Sequence, residues 1–287
     1  MNCTMRPKWL RVKLPAGRNY HEIKGVLREK RLHTVCEEAI CPNIGECFEK
    51  RTATFLILGD TCTRQCGFCA VKKGSPSGVD REEPRRIAEA VKQIELKYIV
   101  ITSVTRDDLS DGGASAYAET IKCIREQVKD CKIEVLIPDF GGVSIALETV
   151  INARPDVLNH NIETIPRLYP QVRPMASYER SLELLKNARE KNPFLTTKSG
   201  LMVGLGEKWD EIINAMHDIR NAGCDMLTIG QYLSPKRNAL LIERYYTADE
   251  FELLQLEGER LGFHHIESGP LVRSSYHAKM QSDNILA

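Results

Sequence analysis

Short apolar runs alternate along this chain with helix-periodic stretches, and the rhythm points to the α/β class. The runs are Thr54–Gly59, Tyr98–Val104, Ile133–Pro138, Val157–Asn161, Leu201–Val203 with a polar lead-in, and Met226–Tyr232. They are brief and β-branched where cleanest, as strands buried on both faces are. Between them Pro84 stands at a first helical turn, followed by Ile87, Val91 and Ile94 on one face. Tyr117, Ile121, Ile124 and Val128 repeat that stripe, as do Leu182, Leu185 and Ala188. Ile212, Ala215, Met216 and Ile219 do so again and stop at Gly223, a residue suited to end a helix.

Strand and helix in this order predict parallel βα units with both sheet faces covered. An open doubly wound sheet and a βα barrel both satisfy the pattern. About six units rather than eight favour a partial (β/α)6 TIM-like barrel. In either form function gathers in the loops after the strands' C-terminal ends. The polar residues obey this: a cysteine-rich loop follows Gly59, Asp107 and Asp108 follow Val104, and Asn161 and Glu163 end a strand. Residues 1–50 do not fit the unit and read as an N-terminal extension. Residues 51–263 form the barrel, and 264–287 lose periodicity and read as a polar tail.

Net charge is +1, which gives no electrostatic case for nucleic acid or a membrane surface. The basic positions Arg6, Lys8, Arg11, Lys13 and Arg18 read as a solvated arm. No apolar run reaches the length of a membrane helix, and the polar start has no secretory h-region. A cytoplasmic, reducing location is expected, where cysteines serve as metal ligands or catalysts rather than disulfides. That matters because the chain has 10 cysteines, six of them between Cys36 and Cys69. Cys123, Cys131 and Cys224 read as small buried hydrophobes and Cys3 as incidental.

The run GDTCTRQCGFCA sets Cys62, Cys66 and Cys69 in a C-x3-C-x2-C pattern directly after a strand. Three thiolates in a short loop can wrap one 4Fe–4S cubane and leave one iron open for a small ligand. A zinc site would want a fourth Cys or His at matching spacing, and none follows. Phe68 is placed to pack on an adenine ring. This pattern resembles that of the radical S-adenosylmethionine superfamily. The resemblance implies a six-unit partial barrel and homolytic cleavage of the cofactor to a 5′-deoxyadenosyl radical.

Upstream, TVCEEAICPNIGECFE holds Cys36, Cys41 and Cys47 as C-x4-C-x5-C, with Pro42, Asn43 and Gly45 permitting a tight turn. Two such triplets suggest two clusters. Together with SVTRDDLSDGGA, NHNIETIPRLYPQVRP, KSGLMVGLGE, GQYLSP and GPLVRSSYHA, the chain resembles the lipoyl synthase family over nearly its whole length. The resemblance implies that the Cys62–Cys66–Cys69 cluster generates radicals that act on carbons 6 and 8 of a protein-bound octanoyl chain. It implies an auxiliary 4Fe–4S cluster on Cys36, Cys41 and Cys47 that supplies sulfur, with a serine of the RSSY motif as fourth ligand. Ser275 is taken as that ligand and Ser274 as the alternative. An octanoylated lipoyl-carrier domain or H protein, a reductant such as ferredoxin or flavodoxin, and an iron–sulfur carrier for cluster repair follow as expected partners.

Asn159, Asn161 and Glu163 share one face of a strand end and are candidates for the cofactor's ribose and amino groups. Arg173 is a candidate for its carboxylate. Thr102, Ser103, Lys198 and Ser199 are further cofactor or substrate candidates. Gly112–Gly113 and Gly204-Leu205-Gly206 read as turns or as close backbone approaches to a ligand, and His160 and His277 as structural. Asp107 and Asp108 have no carboxylate partner for acid–base work. Other radical sulfur-inserting enzymes, a two-cluster electron carrier and a zinc-stabilised module are the competing readings.

Overall fold

The computed structural model describes residues 7–10, 12, 15–236 and 239–286. Cys3, Arg6, Arg11 and Lys13 lie outside them. The N-terminal extension folds as α1 (Arg18–Glu29), β1 (His33–Thr34), α2 (Val35–Glu38) and α3 (Ile44–Glu49). The first barrel strand, β2 (Thr54–Ile57), leads into a small ribbon of β3 (Thr61–Cys62) and β4 (Lys72–Lys73). There follow α4 (Glu83–Ile94), β5 (Tyr98–Ser103), α5 (Ala114–Gln127), β6 (Lys132–Leu136), α6 (Ser144–Asn152) and β7 (Val157–Asn159). The chain continues through α7 (Tyr169–Val172), α8 (Tyr178–Lys191), β8 (Thr196–Val203), α9 (Trp209–Asn221) and β9 (Met226–Gln231). It ends with α10 (Ala248–Arg260), β10 (His265–Gly269) and α11 (Ala278–Leu286).

The main sheet has eight strands in the order β1-β2-β5-β6-β7-β8-β9-β10. All neighbours are parallel except β1, which pairs antiparallel with β2. A helix separates each successive parallel pair, which gives six βα units and a last strand, β10. This is the partial barrel expected. The six apolar runs all become strands because a parallel strand covered on both faces must be apolar throughout. Pro84 opens α4, whose buried face carries Ile87, Val91 and Ile94. At the end of α9, Gly223 takes φ +85°, a left-handed conformation that glycine adopts without strain. The α8 stripe is rotated from expectation: Tyr178, Ser181, Leu184, Leu185 and Ala188 are buried, and Leu182 only partly. No helix among the described residues is long and apolar enough to cross a membrane.

The expected polar tail is not aperiodic. His265–Gly269 pairs in register with Met226–Gly230 as β10. An edge strand has a ladder on one side only, so its sequence HIESG lacks the apolar run that marks the others. Beyond it α11 enters the barrel, where Ala278 packs on the inward-facing Tyr98 and Val100, with Leu136 against them. Cys131 and Cys224 are buried, but Cys123 is half-buried and its thiol donates to the Glu119 carboxylate at 3.7 Å.

Inside the barrel lies a buried polar cluster. Tyr98 donates to Glu134 Oε2 at 2.7 Å and Asn159 Nδ2 to Oε1 at 2.9 Å. Lys198 Nζ stands 3.3 Å from the same carboxylate, both side chains being wholly buried. A buried charge survives only when paired and hydrogen-bonded in this way.

The segment after β10 runs against the backbone of β9. A Cβ added at Gly230 would sit 2.1 Å from the Val272 carbonyl oxygen. Gly230→Ala is therefore expected to destabilise the chain by about 1–3 kcal/mol. Urea unfolding of the two proteins under identical conditions checks this, and equal midpoints would contradict it.

Candidate functional site

The loops at the C-terminal ends of the strands meet both chain ends around one cavity of about 830 Å³. Cys62, Cys66 and Cys69 border it from the loop after β2. That loop leaves the sheet through Leu58 and Gly59, both at positive φ, and is closed at its base by the β3–β4 ribbon. Arg64, nearly buried, fixes it from within. Its guanidinium forks onto Asp107 at 2.8 and 2.9 Å and also donates to Asp139 Oδ1 at 2.6 Å. Arg180 holds the other Asp139 oxygen at 2.9 Å. The Arg64 bond holds Asp107 below the usual carboxylate range. At Asp139 burial pushes upward, but Arg64 outweighs it and keeps the carboxyl ionised. The backbone is tied as well: Thr63 N–H donates to Thr105 O at 3.1 Å and Gly67 N–H to Val172 O at 2.9 Å. Lys73 Nζ donates to Cys66 O at 2.7 Å. Asp107 is thus an anchor, and Asp108 pairs with Arg106 at 2.8 Å.

Cys36, Cys41 and Cys47 border the same cavity from α2, the turn after it and α3. Thr34 caps α2, accepting from Glu37 N–H at 3.3 Å. Cys41 N–H donates to Cys36 O and Cys47 N–H to Asn43 O, so the hexad CEEAIC and its successor wind back on themselves. Ser274 and Ser275 reach the cavity from the strap after β10. Ser274 Oγ accepts a 2.6 Å bond from Asn161 Nδ2, and the bare α-carbon of Gly200 leaves room for it.

Burial pushes the Cys36 thiol up to about 12, with Cys41 adding to the shift, and the Cys69 thiol up to about 11. Burial raises Cys41, Cys47 and Cys66 too, Arg173 opposing it at Cys66. Without a cation, then, these five cysteines are held as thiols, and an iron centre would displace their protons. Among the described residues no three Cys, His, Asp or Glu side chains converge tightly enough for a single metal ion. Three thiols spread along one cavity wall suit a cubane, whose thiolates bind different irons.

Phe68, Thr102, Ser103, Asn161, Glu163 and Arg173 all border the cavity. Thr102 Oγ1 is committed to Leu136 O at 2.8 Å. Asn161 Nδ2 also donates to Glu163 Oε1 at 3.0 Å, leaving Asn161 Oδ1 buried without a partner. Burial raises the Glu163 carboxyl against the pull of Arg173. Arg173 donates from one nitrogen to Asn161 O at 2.8 Å, while its Nε is unpartnered. Unsatisfied buried polar atoms facing a cavity are what a polar cofactor would satisfy. Asn159 and Lys198 are a correction: they do not reach the cavity, because both are bound to Glu134 in the barrel interior. Ser199 is likewise buried, donating to His160 O at 2.9 Å. The Gly204 turn is no open anion cradle, since the Glu207 carboxylate already accepts from Gly204 and Leu205 N–H.

His160 exceeds its expected structural role. Its Nδ1 bonds Ile137 O at 2.8 Å, which fixes the proton there, and Nε2 is an unpartnered acceptor in the cavity wall. Its place between Asn159 and Asn161 at a strand end is the available sequence signal. Burial lowers its pKa from 6.5 to about 4. Only the unfolded chain binds this proton between those values, so stability is full above pH 6.5 and falls as pH drops toward 4. At about 1.4 kcal/mol per unit the loss is about 3 kcal/mol. Urea titrations of the cluster-free chain at pH 7 and 4 should show that much less acid sensitivity in His160→Gln than in the wild type. Parallel pH profiles would refute the assignment.

Residues 56–219 match the radical SAM superfamily, and residues 2–41 match the N-terminal domain of lipoyl synthase of that family. The chain is 59% identical over 279 residues to a lipoyl synthase of Rubrobacter xylanophilus, covering 97% of this chain and 87% of that one. It is 54% identical to a lipoyl synthase of a Roseiflexus species, covering 97% and 93%. Among solved structures, methylornithine synthase superposes with a TM-score of 0.55 at 13% identity, over 90% of this chain and 80% of that one. With both cysteine triplets bordering one cavity of a six-unit barrel, and relatives matching 97% of its length, the chain belongs to the lipoyl synthase family of radical S-adenosylmethionine enzymes.

Proposed function

We propose that Cys62, Cys66 and Cys69 hold the radical-generating cluster, and that Cys36, Cys41 and Cys47 with Ser275 hold the auxiliary one. The observation that carries this assignment is the shared cavity, bordered by both triplets and by Ser275. Ser275 is preferred to Ser274 because the Ser274 hydroxyl is already engaged by Asn161. The enzyme is a lipoyl synthase: it inserts two sulfur atoms at carbons 6 and 8 of a protein-bound octanoyl-lysine. When bound, S-adenosylmethionine and one 4Fe–4S cluster supply the hydrogen-abstracting radical, and a second 4Fe–4S cluster supplies the sulfur.

This chain's residues bind and orient. Asn161 Oδ1 and His160 Nε2 are acceptors for hydroxyl or amino protons of the nucleoside, and Arg173 Nε is a donor for the methionine carboxylate. Glu163, buried beside Arg173 and Asn161, complements the cofactor's amino group. Phe68, Thr102 and Ser103 complete that wall. Val104, Leu136, Leu201 and Tyr232 offer an apolar path for an octanoyl chain and exclude water from it.

An octanoylated protein is the substrate and a reductant is required. We assign the first to a lipoyl-carrier domain or H protein, the second to a ferredoxin or flavodoxin, and cluster repair to an iron–sulfur carrier, all in the cytoplasm. Residues 51–263 form the radical body, flanked by 1–50 and by 264–287, which contributes β10 and the serine strap. The test is anaerobic incubation with S-adenosylmethionine, a strong reductant and an octanoyl-lysyl peptide. Product should gain two sulfur atoms, and 5′-deoxyadenosine should form. Ser275→Ala should keep cofactor cleavage but drop from roughly eight irons per chain to roughly four, with sulfur insertion lost. The same pattern in Ser274→Ala instead would reverse the ligand assignment.

A further inference from the structure

Asn43 stands at the N-cap of α3, where an asparagine ordinarily bonds its own helix. Its side chain makes no such bond. Only 4% exposed, it reaches instead across 228 positions of sequence to donate from Nδ2 to Leu271 O at 2.7 Å. One helical turn on, Glu46 accepts from Lys50 at the end of its own helix at 2.6 Å and also reaches the strap. Tyr276 Oη donates to Glu46 Oε2 at 3.1 Å, and His277 Nε2 lies 3.4 Å from Oε1. The other His277 nitrogen is 3.3 Å from Glu267 of β10. Asn43 and Glu46 fall between Cys41 and Cys47, whereas Leu271, Tyr276 and His277 bracket Ser274 and Ser275.

We propose that Asn43 and Glu46 are positioning residues that clasp the 271–277 strap to the N-terminal extension and so present Ser275 to Cys36, Cys41 and Cys47. The inference rests on the auxiliary-cluster reading above. A neutral serine hydroxyl is a weak ligand, so its binding depends on being held in place beforehand. The strap has few ways to move once clasped. Upstream its backbone lies against Gly230, where even a Cβ would strike Val272 O. In the middle Ser274 is held by Asn161. Downstream His277 adopts φ +54°, a left-handed turn that a side-chain-bearing residue keeps only when its surroundings impose it. Tyr276 and His277 stack, with ring centroids 3.8 Å apart, and so meet Glu46 as one unit. Ser275, between these anchors, borders the cavity.

The experiment compares Asn43→Ala, the double variant Glu46→Ala/Tyr276→Phe, and a triple variant with Cys36, Cys41 and Cys47 changed to Ala. Each full-length protein is reconstituted anaerobically and assayed for iron, 5′-deoxyadenosine, sulfur insertion and hydrogen exchange of the 271–278 amides. Both clasp variants should fall from roughly eight irons toward roughly four, with sulfur insertion lost, cofactor cleavage kept, and exchange at 271–278 at least about tenfold faster. Full iron and unchanged amide protection in both variants, while the triple variant drops to roughly four, would overturn the clasp alone. Loss of both clusters together in both clasp variants would also overturn it, making these residues props of the whole fold. If the triple variant itself keeps full iron, the auxiliary-cluster reading fails and the clasp falls with it.

Discussion

A parallel barrel closes when its last strand pairs with its first, and its interior is then filled with side chains. Here the ladder runs from β1 to β10, and among the described residues those two strands are its edges. The rest of the site follows from that unclosed sheet. The opening leaves a cavity of about 830 Å³ between the strand ends. It also admits both ends of the chain. The N-terminal extension adds β1 to one edge and lays Cys36, Cys41 and Cys47 over the top. The C-terminal segment adds β10 to the other edge, crosses the cavity with its serine strap, and sends α11 into the interior, where Ala278 packs on Val100. A closed eight-strand barrel would have room for neither end.

The walls of this cavity divide by how their charges are settled. Arg64 with Asp107, Asp139 and Arg180, and Lys198 with Glu134 and Tyr98, are sets whose charges are paired; Asn159 joins the second through Nδ2, while its Oδ1 has no partner among the described residues. Such sets are rigid, because removing one member leaves another buried and unpaired. Asn161 Oδ1, His160 Nε2 and Arg173 Nε are different: they are buried and, among the described residues, left without a partner. Open groups supported from behind by closed ones make a preorganised site.

The sequence patterns carry the barrel and the cysteines well, for physical reasons. Strands such as Tyr98–Ser103 are apolar throughout because parallel sheets are covered on both faces, and a cysteine triplet at this spacing suits little besides an iron–sulfur cluster. The exceptions are equally physical. Asn159 and Lys198 look like site residues because both belong to strands that lead to the cavity. Which polar residue of a strand reaches the top and which stays in the barrel is decided by Glu134 on a neighbouring strand, invisible to local pattern. β10 escapes the pattern because an edge strand need not be apolar. Arg64 escapes it because nothing in CTRQC says that its partners lie on two other loops. Asn43 has the look of a turn residue, and its true partner is Leu271.

The two halves of the site also differ in when the chain can build them. The loop assigned to the radical cluster is pinned by residues that all precede the strap: Lys73, Thr105, Asp107, Asp139 and Val172. The segment assigned to the auxiliary cluster has its three cysteines near the start of the chain, yet its serine and the strap that carries it come near the end. Bringing Asn43 to Leu271 closes a loop of nearly the whole sequence, an entropic cost that only the completed barrel can offset. The radical half can therefore form while the strap is still loose, and not the reverse. For an enzyme whose second cluster is consumed as sulfur donor, that ordering is useful. On the assignment proposed above, a released strap would open the auxiliary site, while the charge sets around Arg64 and Lys198 hold the barrel and the other cysteine loop.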